Sequence, residues 1–494
     1  MLFNSFSFIF YFLPVTLLLY FLLGRFGSLR WSGCWLTLAS LVFYGVWNPW
    51  YLFLIVGSIA MNYGIGVGIN NARHGRAPLS AKTLLVLGVT ANLALLGYYK
   101  YANFFVDSCR TFLGVSWHLP PIVLPLAISF FTFTQIAYLV DAFHGVTEEY
   151  DFLHYALFVS FFPHLIAGPI VSYRRLMPQF AEPAVARFQA EHLAAGLGLF
   201  AVGLTKKVLI ADHLSPLAQA AFDQPALAPG FLTAWIGALA YTFQLYFDFS
   251  AYSDMAIGLA WMFNVRFPLN FNSPYKAANI SDFWRRWHMT LSHFLRDHLY
   301  IPLGGNRRGE PRQLLNLMIT MLLGGLWHGA GWTFVVWGGL HGIYLIIYHV
   351  WERLGGKGKQ AEDSKWNFAG WALTFLAVVI GWVFFRAHSL RQACALLLGM
   401  MGGHGLGLPL PVLLGASSYK APLLTLASAV ALAFFAPNAD EIFRIAERYS
   451  DRGKKPVSPP IWHLSPIWAM ATGAIFAITL LNIWQLSQFL YFRF

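Results

Sequence analysis

Apolar runs separated by short polar segments follow one another along the whole chain. A helix of about 20 apolar residues crosses the hydrocarbon core of a bilayer, which is about 30 Å thick. Counted in windows of that length, the runs predict about 11 transmembrane helices. Several runs are short or are interrupted by glycine and proline, which indicates re-entrant or interfacial helices inside a larger bundle. The runs begin near Phe8, Trp35, Tyr51, Leu84, Ile122, Tyr155, Leu193, Phe231, Leu314, Phe368, Leu423 and Trp468.

Composition supports an all-α polytopic membrane protein. Of the 494 residues, 57% are hydrophobic and only 11% are charged, which is typical of an integral membrane chain rather than of several soluble domains. We expect a single membrane domain made of three stretches. Residues 1–115 form N-terminal hairpins, 120–350 carry almost all of the unusual polar residues, and 366–494 return to plain apolar helices. The three cysteines are too far apart along the chain to indicate a disulfide framework.

Positive charge is concentrated in a segment that has no apolar run long enough to cross a membrane. Residues 264–312 contain eight Lys or Arg and three Asp or Glu side chains. Because positive loops mark the cytoplasmic side, we place this segment on the cytoplasmic face. Within it, residues 283–292 mix aromatic and basic side chains, as is typical of a helix that lies at the membrane interface or lines the mouth of a cavity. Ser281 is the predicted N-cap of this helix, with Asp282 in its first turn.

The polar residue that its surroundings explain least is His328. It lies in a run of 37 residues, 314–350, in which only histidines titrate near neutral pH. A straight helix of that length would be about 55 Å long, so the run has to break, and glycines at 324, 325, 329 and 331 allow a break. An ionisable group at this depth marks a functional site by default. We expect His328 to line a buried cavity; a core histidine bonded to a neighbouring helix is the alternative.

Two carboxylates, Asp248 and Asp254, interrupt another apolar run. Each is costly in a membrane unless it is paired or hydrated, and the two point about 240° apart on an ideal helix. Arg285, Arg286 or a buried histidine are the predicted partners. Substrate binding and ion pairs that hold the helices together are both consistent with this pattern.

No motif for a metal, a serine nucleophile or nucleotide hydrolysis is present. His288, His293 and His298 recur every five residues, about 140° apart on a helix, and so do not share one metal-binding face. Neither a Gly-x-Ser-x-Gly elbow nor a Walker loop occurs. The glycine-rich loop with Arg307 and Arg308 could bind phosphate, and a tight cytoplasmic turn explains it equally well. A buried histidine near a cationic mouth points to group transfer from an anionic donor.

Two sets of short motifs stand out along the chain. The first set is Leu326-Trp327-His328-Gly329, Leu340-His341-Gly342 and residues 283–289. The second set is residues 99–101, 124–131, 167–170, 246–250, 300–306 and 490–494. The first set resembles the membrane-bound O-acyltransferase family, and the second resembles, more narrowly, its bacterial alginate O-acetyltransferase subfamily. The likeness runs over nearly the whole chain, and motifs of this length make a chance match improbable.

The resemblance implies a fold with a central tunnel that joins the two membrane faces at His328, the catalytic histidine. It gives His288 a second essential or supporting position. It implies acetyl-CoA as a cytoplasmic donor, with no permanently bound cofactor, and alginate as an exported polymer at the bacterial inner membrane. A periplasmic or membrane-anchored acyltransferase partner would receive the acetyl group. Contacts with substrate are expected from Arg285, Arg286, Trp327, Asp248, Asp254, Arg307 and Arg308.

Two positions depart from the pattern of the subfamily and leave the polymer open. His164 stands where glutamine is usual, and His298 stands where tyrosine is usual. Cellulose, peptidoglycan and teichoic acid are therefore alternative acceptors for the same chemistry. A channel or transporter for small anions, and an enzyme that attaches a long acyl chain to a lipid or protein, are alternatives from other classes.

Overall fold

The computed structural model describes residues 1–146, 151–223, 229–355, 368–406, 417–450, 461–483 and 487–490. All regular elements in these ranges are helical, as predicted. Helices α1, α4 and α9 each contain a π-helical segment, at Phe8–Phe12, Gly97–Tyr101 and Lys206–Ala211, and another, Arg296–Tyr300, follows α12. The helices are α1 (Phe8–Phe26), α2 (Leu29–Gly45), α3 (Tyr51–Arg73), α4 (Ala81–Leu113), α5 (Ile128–Phe143), α6 (Phe152–Ser160), α7 (Phe162–Leu165), α8 (Tyr173–Ala181), α9 (Ala190–Phe222), α10 (Phe231–Met262), α11 (Ile280–Arg286), α12 (Met289–Leu295), α13 (Glu310–His328), α14 (Trp332–Arg353), α15 (Phe368–Arg386), α16 (Leu390–Met400), α17 (Ser417–Phe435), α18 (Ala439–Phe443), α19 (Ile445–Ser450) and α20 (Pro466–Leu481).

Six helices in the described ranges are long and apolar enough to cross a membrane, namely α1, α3, α4, α9, α14 and α15. Four shorter apolar helical segments accompany them in α5, α16, α17 and α20. The predicted multi-pass architecture is therefore confirmed, and the number of about 11 spans stays a prediction. Of the C-terminal segment that carries part of the resemblance, residues 491–494 lie outside the described ranges.

Helix α10 forms the centre of the bundle. It has 32 residues, and every residue from 240 to 262 is buried, as expected for a helix that is covered on all sides. Helix α9 packs closely against it through small residues, since a Cβ atom on Gly196 would lie 2.5 Å from the carbonyl oxygen of Gly258. A second contact of this kind occurs further along the two helices, where a Cβ atom on Gly203 would lie 2.7 Å from the carbonyl oxygen of Ala251. Small residues at an interface let two helices approach closely in a membrane, so α9 and α10 share a tight antiparallel contact.

The long apolar run around His328 breaks where the glycines predict. Helix α13 ends at His328, and α14 begins at Trp332 after an extended turn. The two helices return antiparallel to each other, and a Cβ atom on Gly338 would lie 3.2 Å from the Cα atom of Gly325. This close glycine contact closes a helical hairpin, with His328 at its turn.

Before α13 begins at Glu310, the basic segment forms only short helical pieces, in agreement with the absence of a spanning run. They are a 3-10 turn at Pro274–Lys276, α11, α12 and the π-helical segment Arg296–Tyr300. Asp282 lies in the first turn of α11, as predicted. The predicted N-cap, Ser281, is wrong. Asn279 takes this role because it is extended and its side chain accepts a hydrogen bond of 2.8 Å from the backbone N–H of Asp282. The cytoplasmic placement of the segment stays a prediction.

Candidate active site

His328 lies inside the protein at the turn of the α13–α14 hairpin, and only 5% of its surface is exposed. Aromatic rings pack around its imidazole. The distances between ring centroids are 5.0 Å to Trp327, 5.1 Å to Trp337 and 5.3 Å to Phe385. Protein therefore shields the imidazole from the surrounding lipid. The tunnel that the resemblance implies on either side of His328 stays a prediction.

His288 lies beside His328, with 6.5 Å between the two ring centroids. It is fully buried and packs edge to face on Phe249 at 4.7 Å. Its backbone adopts a left-handed conformation, with φ of 41°, immediately before α12. Residues other than glycine rarely adopt positive φ, and such positions cluster at functional sites. The structure thus brings together the two histidines that the sequence singled out, which are 40 positions apart.

A buried asparagine holds the His288 ring in place. Asn270 Oδ1 accepts hydrogen bonds from the backbone N–H and the hydroxyl of Thr290 and lies 3.2 Å from His288 Nδ1. Asn270 Nδ2 donates to Ser253 Oγ at 3.0 Å. Because a backbone N–H can only donate, Oδ1 is the acceptor, and His288 Nδ1 therefore donates to it. In a neutral ring, the lone pair then resides on Nε2. No sequence signal had singled out Asn270.

The two carboxylates of α10 pair with lysines of α9. Lys207 Nζ lies 2.8 Å from Asp248 Oδ1, and Lys206 Nζ lies 2.6 Å from Asp254 Oδ2. The predicted partners, the arginines of α11 or a histidine, were therefore wrong. The tight contact between α9 and α10 explains the difference, because the π-helical segment of α9 presents two consecutive lysines to α10. A role of either carboxylate in substrate binding stays a prediction.

Of the four arginines expected to contact the donor, Arg285 and Arg286 lie in α11, and the other two lie in the loop before α13. Arg286 Nε donates to both carboxylate oxygens of Asp282 at 2.9 Å, whereas Arg285 is exposed. Arg307 and Arg308 are exposed in the loop before α13. Because α13 has 19 residues, these two arginines lie about 28 Å along the helix from its other end. His328 lies at that other end. A donor molecule that contacts both these arginines and His328 would therefore have to extend along the hairpin.

The remaining histidines do not form a metal site in the described part of the chain. No group of three or more His, Cys, Asp or Glu side chains there is arranged to hold a metal ion. His164, one of the two departures from the subfamily, is buried with Nε2 at 2.9 Å from the carbonyl oxygen of Phe158. The other, His298, packs on Phe294 at 4.7 Å. Both contacts hold the local fold.

Comparison with known proteins agrees with the geometry. A sequence model of the membrane-bound O-acyltransferase family matches residues 144–388, which include both central histidines. A peptidoglycan O-acetyltransferase of Helicobacter pylori is 45% identical over 435 residues, which cover 83% of this chain and 81% of that protein. The chain belongs to the membrane-bound O-acyltransferase family. The predicted family and the predicted enzyme class, an O-acyltransferase rather than a channel, are thereby confirmed.

Other relatives of this acyltransferase are named for different acceptors. A probable alginate O-acetylase of Pseudomonas aeruginosa is 46% identical over 399 residues, which cover 80% of this chain and 73% of that protein. A teichoic acid D-alanyltransferase of Bacillus subtilis is 28% identical over 276 residues, which cover 53% of this chain and 67% of that protein. All three relatives are named for the transfer of a small acyl group.

Two buried polar residues of the acyltransferase lie near His328 without a predicted role. His341 is fully buried, and its ring packs at 4.9 Å on Trp337, which also covers His328. Lys100 is buried and donates to backbone carbonyls at the end of α13. A sequence signal for Lys100 exists, because it is the only Lys or Arg between residues 83 and 109. A lone cation in an apolar run marks a functional site by default.

Proposed function

We propose that this acyltransferase is an O-acetyltransferase of the bacterial inner membrane that moves acetyl groups from cytoplasmic acetyl-CoA to an exported polysaccharide. The observation that carries the proposal is the buried pair of His328 and His288, with 6.5 Å between their rings inside an aromatic shell. Two relatives named as O-acetylating enzymes, at 45% and 46% identity, support acetyl as the group and a polysaccharide as the acceptor.

Alginate is the proposed polymer, and peptidoglycan is the second candidate. The alginate relative has the higher identity, 46%, whereas the peptidoglycan relative matches a larger share of this chain, 83%. Transfer of D-alanine to teichoic acid has weaker support, since that relative is 28% identical. Acetylation of each polymer in cells that make it distinguishes the candidates.

In the proposed reaction, neutral His328 is the general base. It takes the proton of an acceptor hydroxyl while the hydroxyl oxygen attacks the thioester carbonyl carbon of acetyl-CoA. The new C–O bond forms, the C–S bond breaks, and the imidazolium returns the proton to the departing thiolate. The products are an acetyl ester and free coenzyme A. The aromatic rings packed around the imidazole would limit the access of water and so slow hydrolysis of the thioester.

The proposed role of His288 is to orient the donor. Asn270 holds the Nδ1–H of His288, so the neutral ring presents Nε2 as a hydrogen-bond acceptor. A ring in this state can accept a hydrogen bond from the donor or the acceptor hydroxyl. Only its protonated form could donate to an oxyanion, so we assign charge stabilisation a smaller share of its role.

We further propose that the acetyl group leaves the membrane through a periplasmic partner. A serine or another hydroxyl of that partner would be presented to His328 from the periplasmic side. Arg285, Arg307 and Arg308 are exposed. We propose that they face the cytoplasm, where as cations they would attract the phosphates of the donor.

The test compares His328→Ala with His349→Ala. His349 lies on the same hairpin, but its side chain is 27% exposed and pairs with Glu352, so it serves as the matched control. We expect His328→Ala to reduce two signals to a small residual rate: polymer acetylation in cells, and release of coenzyme A by the purified protein supplied with acetyl-CoA and a soluble hydroxyl acceptor. His349→Ala should behave as wild type, with both variants at equal levels in the membrane. Retained acetylation by His328→Ala would remove this residue from the mechanism.

A donor series completes the test, because a long-chain acyltransferase is the remaining alternative. Acetyl-, butyryl- and palmitoyl-CoA are supplied to the purified protein together with the same hydroxyl acceptor, and the release of coenzyme A is measured for each. Highest turnover with acetyl-CoA is expected. Preference for the palmitoyl donor would contradict the assignment of acetyl as the transferred group.

A further inference from the structure

Helix α13, which ends at His328, has no left-handed glycine cap that would satisfy its last backbone carbonyl groups. The last four carbonyl groups of any α-helix have no partner within the helix. A left-handed glycine after the helix often satisfies them, but Gly329 follows α13 in an extended conformation, with φ of −159°. Donors for these carbonyls therefore have to come from another part of the protein.

Helix α4 supplies these donors. Lys100 Nζ donates to the carbonyl oxygens of Trp327 at 2.5 Å and His328 at 3.4 Å, and to Ser129 Oγ at 3.2 Å. An ammonium group has three N–H donors, and each has an acceptor here. The hydroxyl of Tyr101 donates to the carbonyl oxygen of Leu326 at 2.9 Å. Two consecutive side chains thus satisfy three of the four terminal carbonyls of α13.

The ammonium group of Lys100 interacts with the C-terminal carbonyl groups of α13 and, in the described part of the chain, not with a carboxylate. Only 9% of the residue is exposed, and within the described ranges no carboxylate lies within ion-pair distance of its Nζ. A lone cation at this depth is expensive unless dipoles or an anion compensate it. The carbonyl end of a helix carries partial negative charge and stabilises a cation. The side chain also lies over the Trp327 ring, 5.8 Å from its centroid.

The backbone around Lys100 is irregular as well. Lys100 and Tyr101 end a π-helical segment, Gly97–Tyr101, inside α4. Single π-helical turns inside α-helices occur frequently at functional sites. The segment turns both side chains toward the end of α13, which lies 228 positions away in the chain.

We propose that Lys100 and Tyr101 are positioning residues that hold the end of α13 and thereby fix His328 for catalysis. This inference rests on the proposed function, since it assumes that His328 is the base. Neither side chain is assigned a contact with substrate. The same contacts could also serve the stability of the fold alone, so the test requires a readout that stability would not change.

The variants separate the hydrogen bonds from the bulk of the side chain. Lys100→Met keeps an unbranched chain and removes all donors, Lys100→Arg keeps the charge and the donors, and Tyr101→Phe removes one hydroxyl. Lys82→Met, at the exposed start of the same helix, is the matched control. Purified variants that elute as monodisperse protein in detergent are assayed for release of coenzyme A in the presence of the hydroxyl acceptor, and kcat and the KM for acetyl-CoA are determined separately.

We expect Lys100→Met to lower kcat by about 100-fold, because a displacement of about 1 Å in a catalytic group costs this much, with little change in KM. Lys100→Arg should restore most of the lost rate, and Tyr101→Phe should lower kcat by about fivefold, as the loss of one hydrogen bond implies. Lys82→Met should match the wild type. In a His328→Ala background, Lys100→Met should have no further effect, because residues that act as a unit are not additive.

Wild-type kcat in both Lys100→Met and Tyr101→Phe would overturn the proposal. A kcat of Lys100→Arg as low as that of Lys100→Met would also contradict it. So would a double variant in which Lys100→Met lowers the residual rate of His328→Ala by the same factor as it lowers the wild-type rate. Should Lys100→Met fail to fold, Tyr101→Phe and Lys100→Arg still decide the question through their kcat values. Failure of the proposed function has a different signature, namely full activity of the His328→Ala single variant.

Discussion

Replacement of Lys207 by methionine is expected to destabilise the bundle more than any other change to a single charge in α9. Lys207 Nζ lies 2.8 Å from carboxylate oxygens of both Asp248 and Asp212, and it donates to the carbonyl oxygen of Gln488 at 3.1 Å. The side chains of Lys207 and Asp248 are each only 2% exposed. One buried cation therefore connects α9, α10 and the segment at residues 487–490.

The magnitude follows from what the substitution leaves behind. Among the described residues, Asp248 would keep one hydrogen bond, from the backbone N–H of Leu490 at 2.9 Å, and it would lose its cation. Breaking a buried ion pair by removing one partner costs about 3–5 kcal/mol. The double variant Lys207→Met/Asp248→Asn carries no unpaired charge at this position and should recover a large part of that loss. Lys206→Met should cost less, because the Lys206 side chain is 16% exposed and water can partly compensate the carboxylate.

The assay is thermal unfolding of purified protein in detergent, with the folded fraction followed by size-exclusion chromatography. The expected order of apparent midpoints is wild type and Lys82→Met, then the double variant, with Lys207→Met lowest. Equal midpoints for Lys207→Met and Lys82→Met would refute the reasoning. A double variant less stable than Lys207→Met would show that the unpaired carboxylate is not the cause.

Three further predictions concern the site and the hairpin. Asn270→Ala should lower kcat by about 100-fold through loss of the His288 orientation, and combination with His288→Ala should add nothing; a further drop in kcat in the double variant would contradict this role. Gly338→Ala should reduce the free energy of unfolding by about 1–3 kcal/mol, because the new methyl group clashes with the carbonyl oxygen of Met321. Gly339→Ala should be tolerated, and equal thermal midpoints of these two variants would disprove the close contact. Arg308→Glu should raise the KM for acetyl-CoA about 10-fold or more, by loss of a charged contact, at unchanged kcat; a KM equal to that of wild type would exclude Arg308 from donor binding.

Features that depend on neighbouring residues were accessible from the sequence. Apolar runs predicted a helical multi-pass membrane protein, and the glycines near His328 predicted the break between α13 and α14. The family resemblance also singled out His328 and His288, which the fold brings together. Each signal is local, because helix length, glycine content and short motifs are properties of consecutive residues. The N-cap of α11 shows the limit, since Asn279 and Ser281 are two positions apart and only the backbone conformation decides between them.

The tertiary structure alone decided which polar groups meet. Lys100 reaches a carbonyl 228 positions away, and Asp248 accepts from an N–H group 242 positions away. A charged residue in an apolar run indicates that a compensating partner exists, but the sequence does not show which residue that partner is. That choice depends on which helices pack side by side, and here the small residues between α9 and α10 bring the lysines of α9 to the carboxylates of α10. The sequence therefore determined the class of the protein and its central histidines, while helix packing decided what holds them in place.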